Sequence, residues 1–572
     1  MQLSNSLLQL SLILTAAASA VQAAPGRGKN GHGQKSVIQL ISDGFGPASE
    51  TFARSFVHAR DGLPWNTTLP LDRHLVGTIR TRSTDSLVTD SAASATAYSC
   101  AVKSFNAAIG VDVDSKPCGT VLEAAHELGY STGLVTTSRI THATPASYAA
   151  HTPDRDDENL IAVHELGGTV LGRRVDLMWG GGRRHFQPNT TTGSSRKDSR
   201  DLIGEAQAAG WAVALNRSAF DAFNNGSAVK MPSLGLFASS HMAYELDRNA
   251  TAEPSLTEMA IAALNALEKA GKPFFIMIEG ARIDHAAHNN DPIGHIYDIL
   301  EYNKMFEAVT AWVSKRESDD IALISTSDHE CGGLTLAEQR PEDSEALYGW
   351  MPDVLFGAKH TTEFLANEYA AYVKKANRTD TELREQMVRE IDQLGLSDVQ
   401  DDEVDRAVLI AKNDKTGYAL PVFLASLVNW RAHLGWSTTG HSGVDVNLYA
   451  YHANPKKQAS YTKAMLGNHE NTWIGQWTAQ HLGLTAKMAE LTTKLNNGTQ
   501  HVAGSGSANK TTVIDRYHAG TKHILPAYQP PAAKRAWGLS HAENDFVFGS
   551  ERRAAMEERS HAAAKRQAHR DL

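Results

Sequence analysis

In TDSAASATAY (residues 89–98), Ser91 stands between an aspartate and a run of alanine, serine and threonine. The pattern predicts a helix that begins at this serine. Two readings of it compete. Small residues pack a helix closely against a sheet, and Asp or Ser before a helix is ordinary N-capping. A hydroxyl at that point also meets free backbone N–H groups and the positive end of the helix dipole, surroundings that favour a phosphate.

Three apolar runs end in acids: SVIQLI leads to Asp43, FFIMI to Glu279, and IALIST to Asp328, His329 and Glu330. In open α/β sheets ligands bind beyond the carboxyl ends of strands, so these acids can converge on one crevice. One acid after a strand is usually a cap or turn former. Three of them, one followed by histidine, point to a site. In EGARIDHAAHNND, Asp284 and His288 are four apart and share a helix face, as two ligands of one metal must. His285 projects elsewhere, towards substrate or solvent. His441, in TTGHSG, sits between Gly440 and Gly443, where backbone can approach a ligand closely. Read singly, each histidine is also an ordinary loop or helix residue.

Together these oxygen and imidazole groups suit zinc, and the more oxygen-rich subset suits magnesium. Divalent cations about 3.5–4 Å apart can hold the attacking and leaving oxygens of an in-line phosphoryl displacement. Ser91 is then the nucleophile.

Positioning these groups requires alternating strands and helices. The runs named above, with STGLVTT and VDLMWGGG, read as short strands. TVLEAAHEL, SLTEMAIAALNALEKA and YNKMFEAVTAWVSKR carry apolar residues at helical spacing. The alternation predicts an α/β fold with a large, mostly parallel central sheet flanked by helices on both faces. From about 339 to 431 it lapses into acidic, helix-rich sequence, read as an insertion in one large domain. SDVQDDEVD within it reads as a solvated helix face, with a calcium site as the lesser alternative.

The chain has 572 residues and a formal net charge of −9, with no basic footprint for nucleic acid. Residues 1–24 resemble a signal peptide without a positive n-region, and their apolar stretch is short for a membrane span. Residues 25–36 read as a linker, 37–502 as the catalytic domain and 503–572 as a flexible, charged tail. Asn66, Asn189, Asn216, Asn225, Asn249, Asn377, Asn497 and Asn509 begin glycosylation sequons. The reading is passage through the secretory pathway, with a secreted product favoured over a vacuolar or signal-anchored one. Cys100 and Cys118 can pair in an oxidising compartment. Cys331 is left over, either a buried small hydrophobe or a metal or redox residue.

VTDSAASATAYSCAVKSFNAAIGV, HATPASYAAHTPDR, EGARIDHAAH, TSDHECGG and TTGHSGVDVNLYA together resemble the alkaline phosphatase family, in order, over roughly Val37 to His452. The resemblance implies a phosphate monoester hydrolase with two Zn2+ and one Mg2+ per subunit, acting through a phosphoserine at Ser91. Arg155 then clamps the phosphate oxygens, a task that suits a bidentate guanidinium. Asp284, His288 and His441 match one zinc site, Asp43, Asp328 and His329 the zinc that activates Ser91, which counts as a metal residue there too, and Asp43, Thr144 and Glu279 the magnesium site. His142 and His285, assigned here to substrate binding, stand where the best-known bacterial members have Asp and Lys. Small phosphate monoesters and a second copy of the chain, with the insertion as a crown near the interface, are the implied partners. A phosphodiesterase or sulfatase-like hydrolase on the same metal scaffold is the alternative.

Overall fold

The structure, a computed structural model, describes residues 35–339 and 345–498. The expected signal peptide, nearly all of the linker, and the tail with Asn509 lie outside these residues. Ten strands form the central sheet: β1 (Lys35–Ser42), β2 (Leu75–Arg80), β3 (Ser131–Arg139), β4 (Leu177–Gly181), β5 (Ala212–Ala214), β6 (Ser233–Leu236), β7 (Phe274–Gly280), β8 (Asp320–Thr326), β13 (Val446–Tyr451) and β14 (Gly467–Glu470). Four short strands, β9 (Glu330–Cys331), β10 (Leu334–Leu336), β11 (Leu434–Trp436) and β12 (His441–Ser442), lie outside it. The order across the sheet is β14, β2, β13, β8, β1, β7, β3, β4, β6, β5, and only β13 runs against its neighbours.

Alternation along the central strands divides the core in two. In β1, Ile38 and Leu40 face one cluster and Val37 and Ile41 the other; Phe274, Ile276 and Ile278 of β7 oppose Phe275 and Met277 in the same way. The first face is covered by helices Pro47–Asp61, Leu256–Lys269 and Pro292–Ser314. Val121–Glu127, Thr472–Leu482 and Thr485–Asn497 cover the second. A strand buried on both sides has no polar face, which is why these segments read as unbroken apolar runs. The doubly covered, mostly parallel sheet expected from the sequence is what the chain forms.

The stretch read as an insertion folds into four helices, Thr362–Lys375, Asp380–Asp392, Asp401–Asn413 and Ala419–Ala432, packed onto the first cluster through Leu365, Met387, Val404 and Leu424. The acidic run lies on the surface of the third. Asp401 and Asp405 pair with Arg384, and Glu403 with Arg431. At its base, β9 pairs antiparallel with β12 and β10 with β11. Cys100 and Cys118 form a disulfide, and Cys331 is free and buried.

Candidate metal centre and nucleophile

Register places the acids. Ile41 of β1 lies opposite Glu279 of β7 and Thr326 of β8, so Asp43, Glu279 and Asp328 emerge at the carboxyl ends of three adjacent strands. The reversal of β13 brings His441 to the same edge. An antiparallel strand starts where its parallel neighbours finish, and His441 lies just upstream of Val446.

Asp284 and His288 occupy one face of the Arg282–His288 helix, with Asp284 Oδ2 3.2 Å from His288 Nε2. His441 Nε2 lies 3.2 Å from His288 Nε2 and 3.5 Å from Asp284 Oδ1. A tetrahedral ion with bonds of about 2.0–2.1 Å has ligand-to-ligand edges of about 3.3 Å, which all three separations match. The outer nitrogens are fixed: His288 Nδ1 donates to Thr439 O at 2.6 Å and His441 Nδ1 to Thr89 O at 2.8 Å. Each inward Nε2 therefore presents a lone pair. Cys331, opposite His441 in the β9 and β12 pair, has its sulfur in the same group.

The second group is Asp43, Asp328 and His329, all fully buried. His329 Nε2 lies 3.1 Å from Asp328 Oδ2 and 3.6 Å from Asp43 Oδ1. Both Asp43 oxygens, Asp328 Oδ2, Asp284 Oδ1, Glu279 Oε1 and Thr144 Oγ1 are buried without a hydrogen-bond partner. Buried polar atoms in folded proteins are almost always paired, so such a concentration marks places built for cations. The Thr144 hydroxyl lies beside the Glu279 carboxyl, and Glu279 is close enough to Asp43 to raise it. Burial, then Asp328, Asp284 and Glu279, push the Asp43 carboxyl well up; burial lifts Glu279 to about 7. Burial also works against Asp284, but His288, His441 and His329 hold it well below the usual carboxylate range. His441 is pushed down to about 3 by burial and the adjoining His329. The two clustered donor sets, each containing at least one imidazole, fit a cation apiece.

Ser91 opens the Ser91–Cys100 helix, and its Oγ lies 3.0 Å from His329 Nε2. All ten residues of this helix are buried. Small polar side chains fasten it from every side: Ser94 Oγ donates to Asp328 O, Thr96 Oγ1 to Ala108 O and Ser99 Oγ to Ser147 O. The composition thus serves both readings, close packing and a placed hydroxyl. Asp90 is the N-cap, accepting from Ala93 N at 3.0 Å, and its other oxygen accepts from Arg155 Nη1 at 2.9 Å. One carboxylate therefore fixes both the start of the nucleophile's helix and the guanidinium.

Arg155 Nη2 donates to His142 Nε2 at 3.1 Å. His285 Nδ1 accepts from Arg282, and its ring lies 5.5 Å from that of His142. The structure brings every expected site residue to this one edge. Glu330 instead accepts from Ser442 Oγ and from Gly333 N and Leu334 N. Two groups escaped the sequence reading: Asp90 in its second role, and His241, whose ring lies 4.1 Å from that of His285. No motif flags His241; only the turn after β6 places it.

A doubly covered α/β sheet with two clusters of metal-ligating side chains and a serine at the first position of a buried helix, all at its carboxyl edge, has the makings of a metal-dependent hydrolase of the phosphoryl-transfer class. The alkaline phosphatase family matches residues 34–484. A repressible alkaline phosphatase of Saccharomyces cerevisiae is 43% identical, covering 85% of this chain and 87% of the relative. An alkaline phosphatase of Schizosaccharomyces pombe is 42% identical, over 82% of this chain and 85% of its own. The crystal structure of Thermus thermophilus alkaline phosphatase superposes with a TM-score of 0.65 at 28% identity, covering 82% of this chain and all of that one. The chain belongs to the alkaline phosphatase family. It is a metal-dependent phosphate monoester hydrolase, and the diesterase or sulfatase-like alternative is not favoured.

Proposed function

We propose that Ser91 is the nucleophile, attacking a phosphate monoester in line to form a phosphoserine that water then resolves to inorganic phosphate. The observation that carries this is the 3.0 Å approach of Ser91 Oγ to His329, at a helix start bordered by buried, partnerless carboxylates. Arg155, held by Asp90, donates to the non-bridging oxygens. The first N–H groups of the helix place the positive end of its dipole at the same phosphate. His142 and His285 line the approach as hydrogen-bond donors to substrate. Asp284, His288 and His441 would hold one zinc, Asp43, Asp328 and His329 a second, and Asp43, Thr144 and Glu279 a magnesium. Bound there, the cations lower the pKa of an attacking oxygen and neutralise charge on the leaving one. Metal analysis of purified protein, paired with a pH profile of phosphate-ester cleavage, tests the reading. A chain that turns over monoesters with no bound divalent ion overturns it.

The same reading extends to the whole chain: a cleaved leader over 1–24, one catalytic domain over 37–502, a secreted glycoprotein and a homodimer whose 339–431 segment forms the crown. All seven sequon asparagines among the described residues are exposed, which supports glycosylation. No described helix is long and apolar enough to cross a membrane. Glycosidase treatment followed by sizing tests both the glycans and the dimer.

A further inference from the structure

The carboxyl edge of the sheet changes character along its length. Over β8, β1 and β7 it is lined by carboxylates. Over β3, β4 and β6 it is lined by Arg139 at the end of β3, Arg184 three residues past β4, and His241 beyond β6.

Three imidazoles meet where the two halves join. The rings of His241 and His285 are 4.1 Å apart, those of His142 and His241 5.3 Å, and those of His142 and His285 5.5 Å. Each accepts from a guanidinium: His142 Nε2 from Arg155 at 3.1 Å, His241 Nε2 from Arg139 at 2.5 Å, and His285 Nδ1 from Arg282 at 3.1 Å. A guanidinium only donates, so each ring is neutral and carries its hydrogen on the other nitrogen. For His142 and His241 that nitrogen, Nδ1, is buried without a partner. Two hydrogen-bond donors at this junction, His142 Nδ1 and His241 Nδ1, thus have no acceptor within the protein.

Charge adds to this. Arg155 is balanced by Asp90 and Arg282 by Glu363. Arg139 and Arg184 share one carboxylate: Glu158 accepts from Arg139 Nε at 2.7 Å, while Arg184 Nε donates only to His185 Nε2 at 3.1 Å. Among the described residues no carboxylate lies within ion-pair distance of Arg184, so this ground carries an excess positive charge.

We propose that Arg139, Arg184 and His241 form a second anion subsite, which receives the distal phosphate of substrates bearing two phosphate groups while the reacting one lies at Ser91 and Arg155. The inference rests on the assignment of the reacting phosphate to those two residues. Contacts run unbroken from Arg155 through His142 and His241 to Arg139, so this ground adjoins the position of the reacting phosphate. Arg139 and His241 are in place before substrate arrives, and Arg184 has free Nη groups on a partly exposed side chain.

The test compares propanediol monophosphate with propanediol bisphosphate on the whole enzyme. One charge-assisted contact predicts kcat/KM about tenfold higher for the bisphosphate. That ratio falls as salt is added, because the distal contact is partly exposed. Arg184→Ala brings it down to about twofold, the statistical value for two equivalent reacting groups, and leaves monophosphate turnover unchanged. A wild-type ratio at the statistical value, a ratio insensitive to salt, or full preference retained by Arg184→Ala overturns the subsite. The salt series needs no variant. Failure to cleave the monophosphate at all would instead overturn the assignment of Ser91 and Arg155, and the subsite with it.

Discussion

His288 Nε2 and His441 Nε2 face each other at 3.2 Å, and each ring has already committed its Nδ1 hydrogen to a backbone carbonyl. Two lone pairs confront one another unless a cation stands between them. Stripping metal with a chelator should therefore lower the thermal midpoint by several degrees. A bound ion at a hundredfold excess over its Kd contributes about 2.7 kcal/mol. Zinc or cobalt should restore the loss and magnesium alone should not, since this group supplies two imidazoles and one carboxylate. Calorimetry with and without chelator reads the effect; an unchanged midpoint contradicts it.

Ser91→Ala should abolish the covalent phosphoenzyme, detected by mass spectrometry of acid-quenched enzyme, and lower kcat by about a thousandfold or more. Its metal content should stay at the wild-type level, because Asp43, Asp328 and His329 form a ligand group without this hydroxyl. Phosphoprotein persisting in the variant would move the nucleophile elsewhere.

Asp90→Asn separates two duties of one carboxylate. Asparagine caps a helix about as well as aspartate, so the melting temperature should hold. The ion pair with Arg155, 2.9 Å long and mostly buried, is lost. We expect kcat/KM for simple monoesters to fall about tenfold, with weaker inhibition by inorganic phosphate. A large drop in stability with unchanged kinetics would mean that capping is the only duty.

Glu50 gives a pH signature away from the site. Burial, reinforced by a carboxyl contact with Asp72, raises it from its ordinary 4.5 to about 7, while Tyr449 and Asn447 donate to its Oε2. The folded state therefore holds a proton that the unfolded chain releases near 4.5. Its stabilising effect is present in full below that value and is lost as pH rises through 7. Glu50→Gln, which cannot ionise, should melt above the wild type at alkaline pH and no higher than it at pH about 4. Parallel melting curves across pH decide; a constant offset at every pH contradicts the assignment.

Much of the site was legible because the sequence writes it locally. A run of apolar residues ending in an acid is visible for Asp43, Glu279 and Asp328, and parallel pairing in register then aligns their ends. The spacing of Asp284 and His288 on one helix turn is equally local. Arg155, His142 and Thr144 became readable only through family resemblance, since neither spacing nor periodicity ties them to Ser91. His241, Arg139 and Arg184 stayed hidden. They reach the edge through the order of β3, β4 and β6, and strand order is a property of the assembled sheet. The reversal of β13 is also silent in the sequence, yet it delivers His441.

The two ribbons that pair β9 with β12 and β10 with β11 bring the chain back to its point of departure after the four-helix excursion. Outgoing and returning backbone are stitched together beside Cys331 and His441, so whatever lies beyond the stitch can grow without moving the ligands. Closure entropy rises only with the logarithm of loop length, which makes added turns or helices inexpensive there. Trimming is different, because Leu365, Met387, Val404 and Leu424 shelter the sheet, and cutting them away would uncover it. The excursion is thus free to vary outwards and constrained inwards.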